Sequence, residues 1–155
     1  MFVLNIFLAL AWVALTGRLS PDNLFAGFVM GYAAIWLTRD AIGAQGYVMK
    51  VPRVIRFSLY FLGLFARSSW RIAVEIVTPR DTMRPAILAI PLDASTETEI
   101  LILTSLITLT PGSLTLDVSS DRRYVYVHEM YMTDPEQARK ELKDGLEKRL
   151  LEVLR

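Results

Sequence analysis

The sequence predicts a helical membrane hairpin and a third, amphipathic helix, followed by a small domain of mixed α and β structure. Three observations carry this expectation. Residues 1–17 and 23–38 form two stretches without a charged side chain. Residues 53–77 keep a helical period but set arginines along one stripe. From residue 85 onward the pattern changes to short alternating runs punctuated by Pro, Gly and Ser. Composition agrees: 53% of the 155 residues are hydrophobic and 21% are charged, against about 45–50% and about 25% for an ordinary soluble domain. The charge is unevenly divided, with nine Lys/Arg against four Asp/Glu in residues 1–92 and eight against twelve in residues 93–155.

Residues 1–39 are read as a transmembrane hairpin. Phe2 to Leu15 is interrupted only by Asn5, and the second stretch carries Phe25, Phe28, Tyr32, Ile35 and Trp36. A spanning helix takes about 20 mostly apolar residues, with about 17 as the lower bound, so each stretch spans only by including its flanks. Gly17-Arg18-Leu19-Ser20-Pro21-Asp22 supplies the turn, with Ser20 as helix N-cap and Pro21 at the first helical position. No Lys or Arg precedes Arg18, which argues against the basic start of a secretory signal peptide. Helices of a soluble bundle would show charged faces, and these do not. Gly27 and Gly31 form a small-xxx-small pair that lets another helix approach closely.

Residues 40–83 contain the amphipathic helix and a linker. At about 100° per residue, Arg53, Arg56, Tyr60, Gly63, Arg67, Arg71 and Glu75 fall within a sector of about 120°. Ile55, Leu59, Leu62, Phe65, Ile76 and Val77 lie opposite. Only Phe57 to Ala66 is free of charge, too short a run for an ordinary span. The helix is read as lying in the interface with its apolar side in lipid. A tilted span with its arginines paired to a partner is the competing reading. The basic residues after the second stretch, from Arg39 to Arg84, outnumber the single Arg18 of the hairpin turn. The positive-inside rule then puts the turn outside and the C-terminal domain in the cytoplasm.

Past a break at Pro79-Arg80-Asp81, residues 84–155 read as the cytoplasmic domain. Pro85 to Leu92 is an edge strand bounded by prolines. Thr96-x-x-Glu99 is a capping box opening a helix that runs to Leu109, and Thr110-Pro111-Gly112 stops it. Leu114, Leu116 and Val118 mark a half-buried strand, Ser119 to Arg122 a turn, and Tyr124 to Met132 the returning strand. Asp134 and Pro135 start a last helix with Ala138, Leu142, Leu146, Leu150 and Val153 on one face and Glu136–Lys140 and Asp144–Lys148 as i,i+4 pairs. The order βαββα is that of a ferredoxin-like α+β domain without its last strand, which leaves the first strand as an open edge.

Little chemistry is on offer. With no Cys and one His there is no disulfide, iron–sulfur or zinc-thiolate framework and no Cys nucleophile. His128 stands on a strand with no second ligand at useful spacing, which suits a structural or interface residue. No phosphate-binding loop, EF-hand or nucleophile elbow is present, and no basic tract dense enough for nucleic acid. Glu75 lies one turn from Arg71 and would relay protons only if its helix spans. No catalytic residue, cofactor or metal is expected. A membrane-attached domain without a substrate site of its own is best read as a subunit.

The run Leu103-Thr104-Ser105-Leu106-Ile107-Thr108-Leu109-Thr110-Pro111-Gly112-Ser113-Leu114-Thr115-Leu116-Asp117-Val118, followed by Tyr124-Val125-Tyr126-Val127-His128, closely resembles the signature of the E-type subunits of the multisubunit Mrp-type (Mnh, Pha) cation/proton antiporters. Small departures are Thr104-Ser105 in place of Ala-Asn and Ser113 in place of Thr. The resemblance implies an accessory subunit in the bacterial cell (inner) membrane, multi-pass and not an enzyme. The complex would exchange sodium (or potassium) for protons, and this chain would support its assembly without carrying the ion path. The implied partners are other antiporter subunits, both large ones related to those of respiratory complex I and small membrane subunits, together with membrane lipid. Candidate assembly contacts are Arg53, Arg56, Arg67, Arg71, Glu75, Gly27, Gly31, Thr108, Thr110, Pro111 and Gly112. A membrane-tethered domain that senses an ion or ligand is the alternative.

Overall fold

The computed structural model describes residues 1–78 and 83–155, so the expected break at Pro79-Arg80-Asp81 lies outside the described residues. The chain forms two units, Met1–Ile55 and Arg56–Arg155.

In the first unit, α1 (Phe2–Thr16) ends where Gly17 adopts φ 65° and returns its N–H to the Val13 carbonyl. Helix α2 (Pro21–Ile42) starts as expected, with the Ser20 hydroxyl accepting from the Asn23 N–H at 3.2 Å and Pro21 in the first turn. The two helices pack as a hairpin, and Gly27 and Gly31 face α1. A Cβ at Gly27 would stand 2.9 Å from the Ala9 carbonyl oxygen, and one at Gly31 would overlap the Asn5 side chain. Asn5, the one polar break in the first apolar stretch, is 0% exposed. Its Nδ2 donates to the Tyr47 hydroxyl at 3.0 Å and so ties α1 to the start of the third helix, at Gln45–Val77.

The expectation of a transmembrane hairpin needs correcting. No helix among the described residues is long and apolar enough to cross a membrane. Helix α1 has 15 residues, about 22 Å of rise against about 30 Å of hydrocarbon. Helix α2 has 22 residues, but Asp22 and Asn23 begin it and Arg39 and Asp40 interrupt its last turns.

Helix α3 (Gln45–Val77) starts eight residues before Arg53 and carries Pro52 inside it. Proline lacks the N–H that would bond back four residues. The Val48 carbonyl left over accepts instead from the Tyr32 hydroxyl at 3.1 Å.

The second unit comprises the rest of α3, β1 (Ala86–Pro91), α4 (Glu97–Leu109), β2 (Ser113–Val118), β3 (Tyr124–Glu129), α5 (Pro135–Lys140), a π-helical segment Glu141–Glu147, and α6 (Lys148–Leu154). The strands form one antiparallel sheet in the order β1-β3-β2. β2 is bulged between Thr115 and Asp117, and β3 stops at Glu129, short of the expected Met132. Leu88, Ile90, Val125 and Val127 point from one face of the sheet into a core shared with Ile100, Leu103 and Ile107 of α4 and with Leu146, Leu150 and Leu151. Phe57, Tyr60 and Phe61 of α3 pack against this core. The Thr96–Glu99 capping box forms in full.

The last helix departs from expectation at its middle. Glu147 turns inward, is 1% exposed, and accepts through Oε1 from the N–H groups of Asp93 (2.7 Å) and Ala94 (2.9 Å). A π-helical turn accommodates that inward side chain, since one extra residue re-aims the helix face. Other pairs stand where the i,i+4 pairs were expected: Glu136 bonds Arg139, and Lys143 reaches Glu147 at 3.3 Å and Asp93 at 2.9 Å. Two β1 edge carbonyls are also satisfied from this helix, Ala89 by Arg139 Nε at 3.2 Å and Pro91 by Lys143 Nζ at 2.7 Å.

Candidate functional site

The predicted residues fall at three places. Thr108, Thr110, Pro111 and Gly112 form the corner between α4 and β2. The last carbonyls of a helix have no intrahelical donor, and hydroxyls supply part of what is missing here. Thr110 Oγ1 donates to the Leu106 carbonyl at 2.9 Å and Ser113 Oγ to that of Ile107 at 2.9 Å. Thr108 Oγ1 accepts from the Thr115 N–H at 3.3 Å, binding helix to strand. Gly112 has φ 95°, a backbone conformation open mainly to glycine.

Tyr131 joins this corner to α3. A Cβ on Gly112 would stand 3.3 Å from the Tyr131 ring and 3.9 Å from Ile72 of α3. The Arg71 guanidinium lies over the same ring, 5.1 Å from its centroid. The Tyr131 hydroxyl hydrogen-bonds the Glu75 carboxylate, which raises its pKa above the ordinary tyrosine value. Arg71, Glu75 and Gly112, distant in sequence, are thus brought together by a residue that the sequence reading did not single out. Nearby Glu129 is pushed up to about 7 by burial and by Glu141, against the opposing charge of Arg71. The alternation from Tyr124 to Met132 includes Tyr131 without marking it, and β3 in fact stops at Glu129, leaving Tyr131 beyond it at a bridge to Arg84. Tyr60 forms a second such contact, with Arg149 4.4 Å over its ring.

Arg53, Arg56 and Arg67 take no part in that cluster and lie exposed along α3. Gly27 and Gly31 are occupied by α1 within the chain. Two further surfaces stay open. The apolar side of α3 exposes Leu59 (65%), Leu62 (59%) and Trp70 (73%). The sheet face opposite the core presents Ile87, Leu114, Leu116, Tyr124 and Tyr126 outward, with His128 paired to Ile87 and Leu114. Among the described residues no group of three or more His, Cys, Asp or Glu could hold a metal ion. The arrangement offers surfaces for contact.

Comparison with known proteins gives the same sense. Residues 5–153 match the family described as MNHE, Na+/H+ ion antiporter subunit. The E-type subunit of the Na(+)/H(+) antiporter of Bacillus subtilis (strain 168) is 31% identical over 153 residues, covering 99% of this chain and 97% of the relative. The E1-type subunit of the Na(+)/H(+) antiporter of Staphylococcus aureus (strain JH9) is 30% identical over 151 residues, covering 97% and 95%. A chain in the structure of the Mrp complex from Dietzia sp. DQ12-45-1b aligns with TM-score 0.53 and 32% identity, over 66% of this chain and 96% of that one. A chain of the membrane-bound sulfane sulfur reductase, an archaeal respiratory membrane complex, aligns with TM-score 0.58 and 25% identity, over 96% and 94%. The chain belongs to the MNHE family of Na+/H+ ion antiporter subunits, so its partners are other antiporter subunits and it is a transporter component, not an enzyme.

Proposed function

We propose that this chain is an accessory subunit that supports assembly of a sodium (or potassium)/proton antiporter without carrying its ion path. One observation carries the reading: large apolar side chains stay exposed along all three N-terminal helices, among them Phe7, Phe25, Leu37, Leu59 and Trp70. Contiguous exposed apolar surface marks an interface with protein or lipid. On this reading the apolar sides of α1 and α2 meet neighbouring subunits and lipid, α3 lies in the interface, and the C-terminal domain faces the cytoplasm. The division into residues 1–39, 40–83 and 84–155 is kept as the functional one. The sheet order β1-β3-β2 supports a ferredoxin-like domain that lacks the strand beside β1. Replacing Arg67 and Arg71 together by Glu tests the reading. Gentle extraction of the tagged complex is expected to recover fewer antiporter subunits with that variant, and recovery at the native level together with normal salt tolerance would count against it.

A further inference from the structure

Helix α3 divides its circumference three ways. Phe57, Tyr60, Phe61, Ile72 and Glu75 turn toward the C-terminal domain and are half-buried. The opposite sector exposes Leu59, Leu62, Trp70 and Val77. Between the two runs a stripe with Arg56, Gly63 and Arg67. Both arginines are exposed and have no ion-pair partner among the described residues. They stand about 16 Å apart along the axis at the helical rise. Nothing lies within 4 Å of the place where a Cβ on Gly63 would be, so the space between the two stems is open down to the backbone.

We propose that this stripe binds the phosphate headgroups of anionic phospholipid while the neighbouring apolar sector enters the acyl region. The inference rests on the interfacial placement of α3 proposed above and adds a chemical preference to it. An apolar face alone would take any lipid, whereas guanidinium groups at its margin match phosphate in geometry and charge. Trp70, at the edge of the apolar sector, is a side chain suited to the headgroup level.

Native mass spectrometry of the full chain in mild detergent, titrated with phosphatidylglycerol or phosphatidylcholine, tests the proposal. Each arginine near an anionic surface contributes roughly a fivefold factor in binding. Replacing Arg56 and Arg67 together by Gln is therefore expected to lower phosphatidylglycerol retention about thirtyfold. The matching Lys pair, which keeps the charge, is expected to retain most of it. Equal retention of the two lipids by the native chain, or undiminished phosphatidylglycerol retention by the Gln pair, overturns the proposal. The Gln pair is also carried into the native membrane. Loss of co-extracted anionic lipid from that variant supports lipid docking. Loss of partners with lipid retention intact would assign the stripe to an acidic segment of another subunit and overturn it. Failure of the native chain to bring down any antiporter subunit sinks the assembly reading separately, and the lipid titration still decides this one.

Discussion

Glu99 and Glu129 are carboxylates in one small domain with opposite environments, and each makes a signed prediction. Glu99 pairs with Arg155 at 3.0 Å and accepts from the N–H groups of Ser95 and Thr96. The Arg155 contact foremost, then the two backbone bonds, hold it down at about 2. A depressed carboxyl adds stability above its ordinary 4.5 and loses it as pH falls toward 2. Glu99→Gln is expected to flatten that acid limb of a Tm-against-pH profile. Glu129 is raised to about 7, so its cost to stability grows as pH climbs from 4.5 to 7. Glu129→Gln should raise Tm at pH 8 and leave it unchanged at pH 4; a rise at both would point to packing. Glu147 holds two backbone N–H groups in a buried site. Its replacement by Ala leaves both unmet and is expected to cost about 3 kcal/mol in denaturant unfolding.

At the scale of elements, helices here meet by backbone accommodation as much as by apolar area. Gly31 admits the Asn5 side chain, and an added methyl there should cost about 1–3 kcal/mol as overpacking. Pro52 and Tyr32 form a coupled pair through the Val48 carbonyl. Tyr32→Phe removes the carbonyl's donor and is expected to cost about 1 kcal/mol. In a Pro52→Ala background the helix supplies its own N–H, so the same change should cost less. A double-mutant cycle reads this directly, and strictly additive costs would show that the contact is incidental. Helix starts were legible because caps are local: Ser20, Thr96 and Asp134 all cap as their neighbours in sequence suggest. The start of α3 was not legible, since Pro52 ordinarily ends a helix, and the α2 hydroxyl that takes up the freed Val48 carbonyl is remote in sequence.

At the scale of the whole molecule, the domain has a sheet covered on one face and an edge strand guarded from the helix behind it. Antiparallel pairing alternates, and the Arg139 contact to the Ala89 carbonyl shows that Ile87 and Ala89 turn their backbone outward. Hydrogen exchange in the isolated chain is expected to be slow at Leu88 and Ile90 and fast at Ile87 and Ala89. Slow exchange at all four would mean that the edge is already covered. In the assembled complex, slowing confined to Ile87 and Ala89 would locate a partner on that edge.

The order of elements, the capped helix starts, the βαββα pattern and, through the Leu103–Val118 signature, the family were all legible along the chain. These are consequences of local periodicity and of short-range hydrogen bonds, which a chain carries within a few residues. Long-range packing alone shows that Gly27 and Gly31 serve the hairpin itself, that Tyr131 gathers Arg71, Glu75 and Gly112, and that Glu147 turns inward on a π-helical turn. Each of those depends on groups far apart in the chain, and no periodicity within one element records which distant backbone or side chain will fill the space beside it.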